Sequence, residues 1–230
     1  MGTVNPLAAI QQRRRFTSTW AARPTFGLQP GDELLVTDFG IAPGLLLVWS
    51  GTAWRPFGGR QLVGSLVGSF GNPVAVVSGV TTTTRFGTVE IPVPGDLLNQ
   101  VGMIARPMCY VTRSGSTANV APPVAGTGTA SMAMRLGTTK TTADLSMGGT
   151  NFATGTLAVT QDGATQRNAD GTRTQKPPWL PDAGSSTSAA VTQVAGAWTA
   201  GTNFLTAWID SPTASGDGFR LLKLQLWIEG

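Results

Sequence analysis

The 230-residue chain has no histidine and one cysteine, Cys109, so few residue types remain from which a reactive centre could be assembled. A serine or cysteine nucleophile of the familiar kind needs an imidazole to take its proton, and neither a Ser–His nor a Cys–His pair can form. Most zinc and haem arrangements fall with histidine, and a single cysteine cannot close an internal disulfide. Cys109 stands in an apolar run and reads as a small buried hydrophobe. Gly64-Ser65-Leu66-Val67-Gly68 places its serine wrongly for a nucleophile elbow. Gly126-Thr127-Gly128 lacks the strand–loop–helix setting and the later glycine of a phosphate loop, and reads as a turn. The carboxylates a glycosidase would need are Asp162, Asp170, Asp182, Asp210 and Asp217, most of them beside Gly, Asn, Ser or Pro, where turn formation accounts for them. Asn168-Ala169-Asp170-Gly171 is a fragment of a calcium loop without its first ligand or distal Glu. The expectation is a protein that is not an enzyme and carries no cofactor and no metal.

Recognition chemistry is better represented than catalysis. Between about residues 161 and 188, strand patterning gives way to turn signals and a Ser/Thr run, which reads as a long loop. It gathers Arg167, Asn168, Asp170, Arg173 and Lys176 near Trp179. A planar ring that stacks on a sugar face, beside polar groups that read hydroxyls, is a kit for binding a glycan. The alternative is a solvated loop with Trp179 folded back onto the body. Trp227 falls in register with Lys223 and Gln225 on the face away from the core, and a neighbouring subunit covering it is one explanation. Arg13, Arg14 and Arg15 form the one basic run. The net charge of +4 is otherwise scattered, with three lysines in all, so the run reads as a solvated or interface-seeking arm and nucleic acid is not an expected partner.

The elements that must carry these groups are strands. Charged residues make up 12%, about half the usual share, while 30 Gly and 15 Pro supply turns, and 7 Trp and 9 Phe supply area for a core. Residues 1–19 form a polar-basic arm with weak helical character between Pro6 and Phe16. Residues 20–60 form a small β-hairpin unit from Glu33–Thr37, Leu45–Trp49 and Ala53–Arg55, turning at Pro43-Gly44 and Ser50-Gly51 and closed by Pro56. Residues 61–230 carry about eight further strands. Val74–Val77 is an apolar run, Val89, Ile91 and Val93 alternate with Glu90 and Pro92 on an edge strand, and Met103-Ile104 and Met108–Val111 flank Arg106-Pro107. Met132, Met134 and Leu136 alternate with polar or small residues, Leu157 and Val159 precede a turn at Asp162-Gly163, and Phe204–Ile209 is apolar on both faces and so central. Leu222, Leu224, Leu226 and Ile228 face one way from the last strand. The fold class is all-β, a small N-terminal hairpin unit followed by a jelly-roll-like sandwich. The N-terminus shows no signal-peptide pattern and no run is long enough to span a membrane, so no membrane insertion is expected.

Trp20 and Arg23-Pro24, then Leu35-Val36-Thr37-Asp38-Phe39-Gly40, then Leu47-Val48-Trp49-Ser50-Gly51-Thr52-Ala53-Trp54-Arg55-Pro56 resemble a module of bacteriophage tail fibre and baseplate-associated virion proteins. The resemblance covers about a sixth of the chain. It implies a structural virion protein with a β-unit at the particle-attached end, a variable distal domain, homotrimers, contacts with other virion proteins and a host surface glycan as target. It also implies location in the virion, after assembly in the host cytoplasm. A head fibre or capsid-decoration protein is the alternative. The expected attachment or oligomer interface comprises Arg13, Arg14, Arg15, Trp49, Trp54 and Trp227, and the expected receptor contacts are Arg167, Asn168, Asp170, Arg173 and Trp179.

Overall fold

A computed structural model describes residues 13–41, 44–113, 128–153, 158–175, 192–194, 198–210 and 217–230. The first sheet has four strands in the order β1 (Arg15–Ser18), β2 (Glu33–Val36), β3 (Leu45–Trp49), β4 (Trp54–Pro56). The β2–β4 meander is antiparallel, as the turn signals predict. The β1 strand is a correction to the helical arm. Arg15–Ser18 runs parallel to β2, pairing Phe16 with Leu34 and Ser18 with Val36. A parallel pairing across 18 residues has no local turn to announce it, and four residues are too few to show a period. Residues 1–12 lie outside the described segments.

Among the described residues the larger body has eight strand positions in two sheets. They are β5 (Arg60–Val67) with β6 (Ala75–Val80), then β7 (Thr84–Arg85) with β8 (Ile91–Pro94), then, after the one-turn helix α1 (Gly95–Leu98), β9 (Ile104–Arg113), β10 (Ala130–Gly137) and β11 (Leu145–Phe152). They continue with β12 (Ala158–Asp162) and β13 (Thr165–Arg167), the added strands β14 (Arg173–Gln175) and β15 (Thr192–Val194), then β16 (Thr202–Asp210) and β17 (Asp217–Glu229). Numbered by position along the chain, one sheet runs first, eighth, third, sixth (β5/β6, β17, β9, β12/β13), and the other runs second, seventh, fourth, fifth (β7/β8, β16, β10, β11). First pairs with eighth, second with seventh, third with sixth and fourth with fifth, the folded-ribbon order of a jelly roll.

Local chemistry explains three departures from the expected strands. Met103-Ile104 and Met108–Val111 belong to one strand, β9, and Pro107 lies inside it. Its missing N–H is tolerated because the partner on that edge changes there from β13 to β12, with the Gly163 amide donating to the Pro107 carbonyl at 2.9 Å. The expected 161–188 loop is in part sheet: β13 and β14 form a hairpin that β15 extends. The only buried side chain of β13 is Thr165, so no hydrophobic alternation marked it. The last strand keeps Leu224, Leu226 and Ile228 inside, but an irregularity between Leu221 and Lys223 brings Leu221 inside as well. Phe152 and Phe219 meet edge to face at 5.2 Å between the sheets. Among the described residues no helix is long and apolar enough to cross a membrane.

Candidate attachment and contact surfaces

The first sheet is built and seated by the residues of its Trp/Arg/Pro pattern. Asp38 accepts the Trp20 amide at 2.8 Å and so fixes the start of the loop into β2. Gly51 takes a φ of +103°, and the Ser50 hydroxyl donates to the Ala53 carbonyl across the same turn, letting Trp49 and Trp54 meet edge to face at 5.4 Å. Trp54 is buried and Trp49 half-buried. Trp54 therefore belongs to the core, so only Trp49 of the two retains surface to offer a second chain. The Trp20 indole N–H and Arg23 Nη2 both donate to the carboxylate of Asp96, at the start of α1, and the Arg23 guanidinium lies 3.9 Å over the Trp20 ring. Arg55 Nη2 donates to the Val101 carbonyl at 2.5 Å. These contacts seat the sheet on the end of the sandwich where the chain also terminates.

The basic run divides. Arg14 pairs with Asp32, and Arg15 donates to Glu33 at 2.6 and 2.8 Å, while Arg13 is exposed. Two of the three arginines thus hold β1 against β2 at its margin. The guanidinium of Arg14 holds the Asp32 carboxyl below the usual carboxylate range, helped by the Gln29 and Arg14 amides against the opposing effect of burial. A carboxyl lowered on folding stabilises fully above its unfolded pKa of about 3.9, and the gain is lost as pH falls through the lower folded value. Asp32→Asn is therefore expected to weaken the protein at neutral pH and to flatten the acid decline below pH ~4. Urea midpoints measured from pH 7 down to pH 2 check this, and an unchanged slope would refute it.

The opposite face of the first sheet carries an apolar stripe. Register places Leu35, Leu46 and Val48 on one side, away from the buried Leu34, Val36, Leu45 and Leu47. All three are half-buried and none packs against the hydrophobic core. Phe26 is 88% exposed in the loop before β2.

The expected receptor contacts are placed differently from the expectation. Arg167, Asn168 and Asp170 form the β13–β14 turn and spend much of their hydrogen bonding on it. The Asp170 carboxylate accepts the Thr172 hydroxyl at 2.7 Å and its amide at 2.8 Å, which holds the carboxyl below its ordinary range. Asn168 donates to the Thr172 hydroxyl, and Arg167 donates to the Gly171 carbonyl. The hairpin is tied to the turn before β9 by Gly102 N–H to Arg167 O at 2.8 Å and Arg167 N–H to Met103 O at 3.0 Å. It therefore lies at the same end of the sandwich as the first sheet. The Arg173 backbone belongs to β14, and Trp179 lies outside the described residues.

The outer faces of the two large sheets differ. On the β10/β16 face the aromatics are capped by cations that have their own acidic partners. Arg135 pairs with Asp210 and lies 6.0 Å from the Trp208 ring centroid, while Lys140 lies 3.7 Å over Phe204 and bonds Glu90, which also takes Arg85. Burial works to raise the Glu90 carboxyl, but Lys140 and Arg85 outweigh it and hold it low. On the β9/β17 face Trp227 stands beside Arg106 and Leu62, in a lattice with Met108, Tyr110, Gln225 and Val67. Arg60 lies 4.5 Å over the Trp227 ring, and Glu229 joins Arg60 at 3.4 Å to Arg106 at 3.2 Å. Trp227 is thus half-buried by its own chain, while Val67 is 68% and Val76 39% exposed. This is the more open apolar face.

At the far end, about 40 Å away along the 13 residues of β17, a charge pair is buried. Arg113 pairs with Asp217 and donates to the Gly128 and Ala153 carbonyls, at 2.6 and 3.4 Å. Its side chain is fully buried and that of Asp217 is 4% exposed. One guanidinium thereby ties the end of β9 to the approach to β10, the exit of β11 and the start of β17. The two partners are 104 residues apart, so spacing carried no signal of them. Among the described residues no group of three or more His, Cys, Asp or Glu could hold a metal ion. No family model, curated protein or solved structure matches the chain.

Proposed function

We propose that the chain is a non-enzymatic structural component of a bacteriophage particle, a tail fibre, spike or baseplate-type appendage that attaches through the β1–β4 sheet. One observation carries the reading. Trp20, Arg23, Asp38, Gly51, Trp49, Trp54 and Arg55, the residues of the phage-like pattern, all serve to build one small sheet and seat it at the end of a jelly roll. The stripe Leu35, Leu46 and Val48 leaves that sheet with apolar surface to bury against another virion protein. The β13–β14 hairpin lies beside the attachment sheet, so a host surface glycan would be met at the opposite end of the sandwich. The β9/β17 outer face, with Trp227, Met108, Tyr110 and Val67, is the surface offered to neighbouring copies in a homotrimer.

Light scattering of the purified chain is expected to give a trimer mass, and Val67→Glu with Met108→Glu is expected to shift it to monomer with the β-sheet spectrum kept. A monodisperse monomer of the unaltered chain would rule out the trimer. Cross-links from the bound protein to shell proteins alone would move it to the head, as a head fibre or decoration protein.

A further inference from the structure

The connection from Gly95 to Met103 lies between the first sheet and the β13–β14 hairpin and is bonded to both. On one side Asp96 takes Trp20 and Arg23, and the Val101 carbonyl takes Arg55. On the other the Gly102 amide donates to Arg167, and the Met103 carbonyl receives the Arg167 amide. Between these, the Asn99 side chain makes a reciprocal pair with the Trp198 backbone, at 2.6 and 3.0 Å. The Gly95 amide donates to Gly201 at 2.9 Å. A Cβ on Gly95 would stand 1.7 Å from the Thr199 carbonyl oxygen, so the backbones touch there.

We propose that residues 95–103 couple the β1–β4 sheet to the β13–β14 hairpin, so that the two open and close as one cooperative unit. The connection has few positions it can take. Its bonds to the sheet at Asp96 and Val101 stand directly before its bonds to the hairpin at Gly102 and Met103, so releasing the first pair loosens the strand end to which the hairpin is bonded. By linkage the effect runs both ways: loosening the hairpin loosens the sheet. Seating or pulling on the first sheet is then felt at the hairpin through the connection. The coupling does not depend on the particle assignment.

Hydrogen exchange read by mass spectrometry on the full chain tests it with Asp96→Asn, Arg55→Met and Arg167→Met. The first two each remove a bond from the sheet to the connection, and roughly tenfold faster exchange is expected in peptides of β1–β4, of 95–103 and of the 165–175 hairpin. Arg167→Met is expected to speed exchange in the hairpin and to carry the effect back to 95–103 and β1–β4. Peptides of β10 and β11 should not change in any variant. Faster exchange confined to β1–β4, no change in any segment, or a uniform rise that includes β10 and β11 would each overturn the coupling. If Asp96→Asn fails to fold, Arg55→Met gives the same reading from the other side of the connection.

Discussion

Arg113→Met is expected to destabilise the sandwich by about 3–5 kcal/mol, the cost of breaking a buried ion pair by removing one partner. The side chain is fully inside, and Asp217, itself almost wholly enclosed, would lose the guanidinium that faces it. The Gly128 and Ala153 carbonyls would lose a donor at the same time. Asp217→Asn alone should be costly for the converse reason. The double variant Arg113→Met with Asp217→Asn should recover much of the loss, since two neutral groups pay no charge desolvation. Urea unfolding of the four proteins gives the coupling energy directly. Additive losses would mean that the pair does not act as a pair.

The second large effect is expected at Trp54. Its indole is buried in the first sheet against Trp49, and Trp54→Ala should cost about 3–5 kcal/mol, as truncation of a packed aromatic usually does. The loss should fall on the β1–β4 sheet, so the sandwich survives while attachment to particles is lost. Trp54→Phe keeps an aromatic edge against Trp49 and should keep attachment. Co-purification with particles and the circular dichroism spectrum together read the result. Attachment that survives Trp54→Ala would remove the first sheet from the mechanism.

What was legible beforehand follows from how much of each element's partnering is local. Alternation in Leu224, Leu226 and Ile228 reported the buried face of β17, because burial on one side of a strand imprints period two on the sequence. Phe204–Ile209 was readable as central because both its faces are apolar, and β8 as an edge because Pro92 suits one. The β1 strand was not readable, since its parallel partner is 18 residues away and its holding bonds are the ion pairs Arg14–Asp32 and Arg15–Glu33. A run of three arginines looked like a free arm for the same reason. The β13–β14 hairpin was hidden by its polarity: its groups satisfy each other through Asp170 and Thr172 and leave no apolar period. Trp227 was rightly placed on an outer face, but nothing in spacing could show that Arg60, far away in the chain, folds over it. The Arg113–Asp217 pair, one of the most enclosed charged sites, came from two residues whose neighbours in sequence gave turn and strand signals only.

Imaging purified particles with gold bound to a tag after Gly230 tests the attachment claim most directly. The expected result is gold at a tail appendage in a fixed copy number, lost when Trp54→Ala is used in place of the unaltered chain. Particles that carry no gold, with the tagged protein left wholly in the soluble fraction, would contradict it.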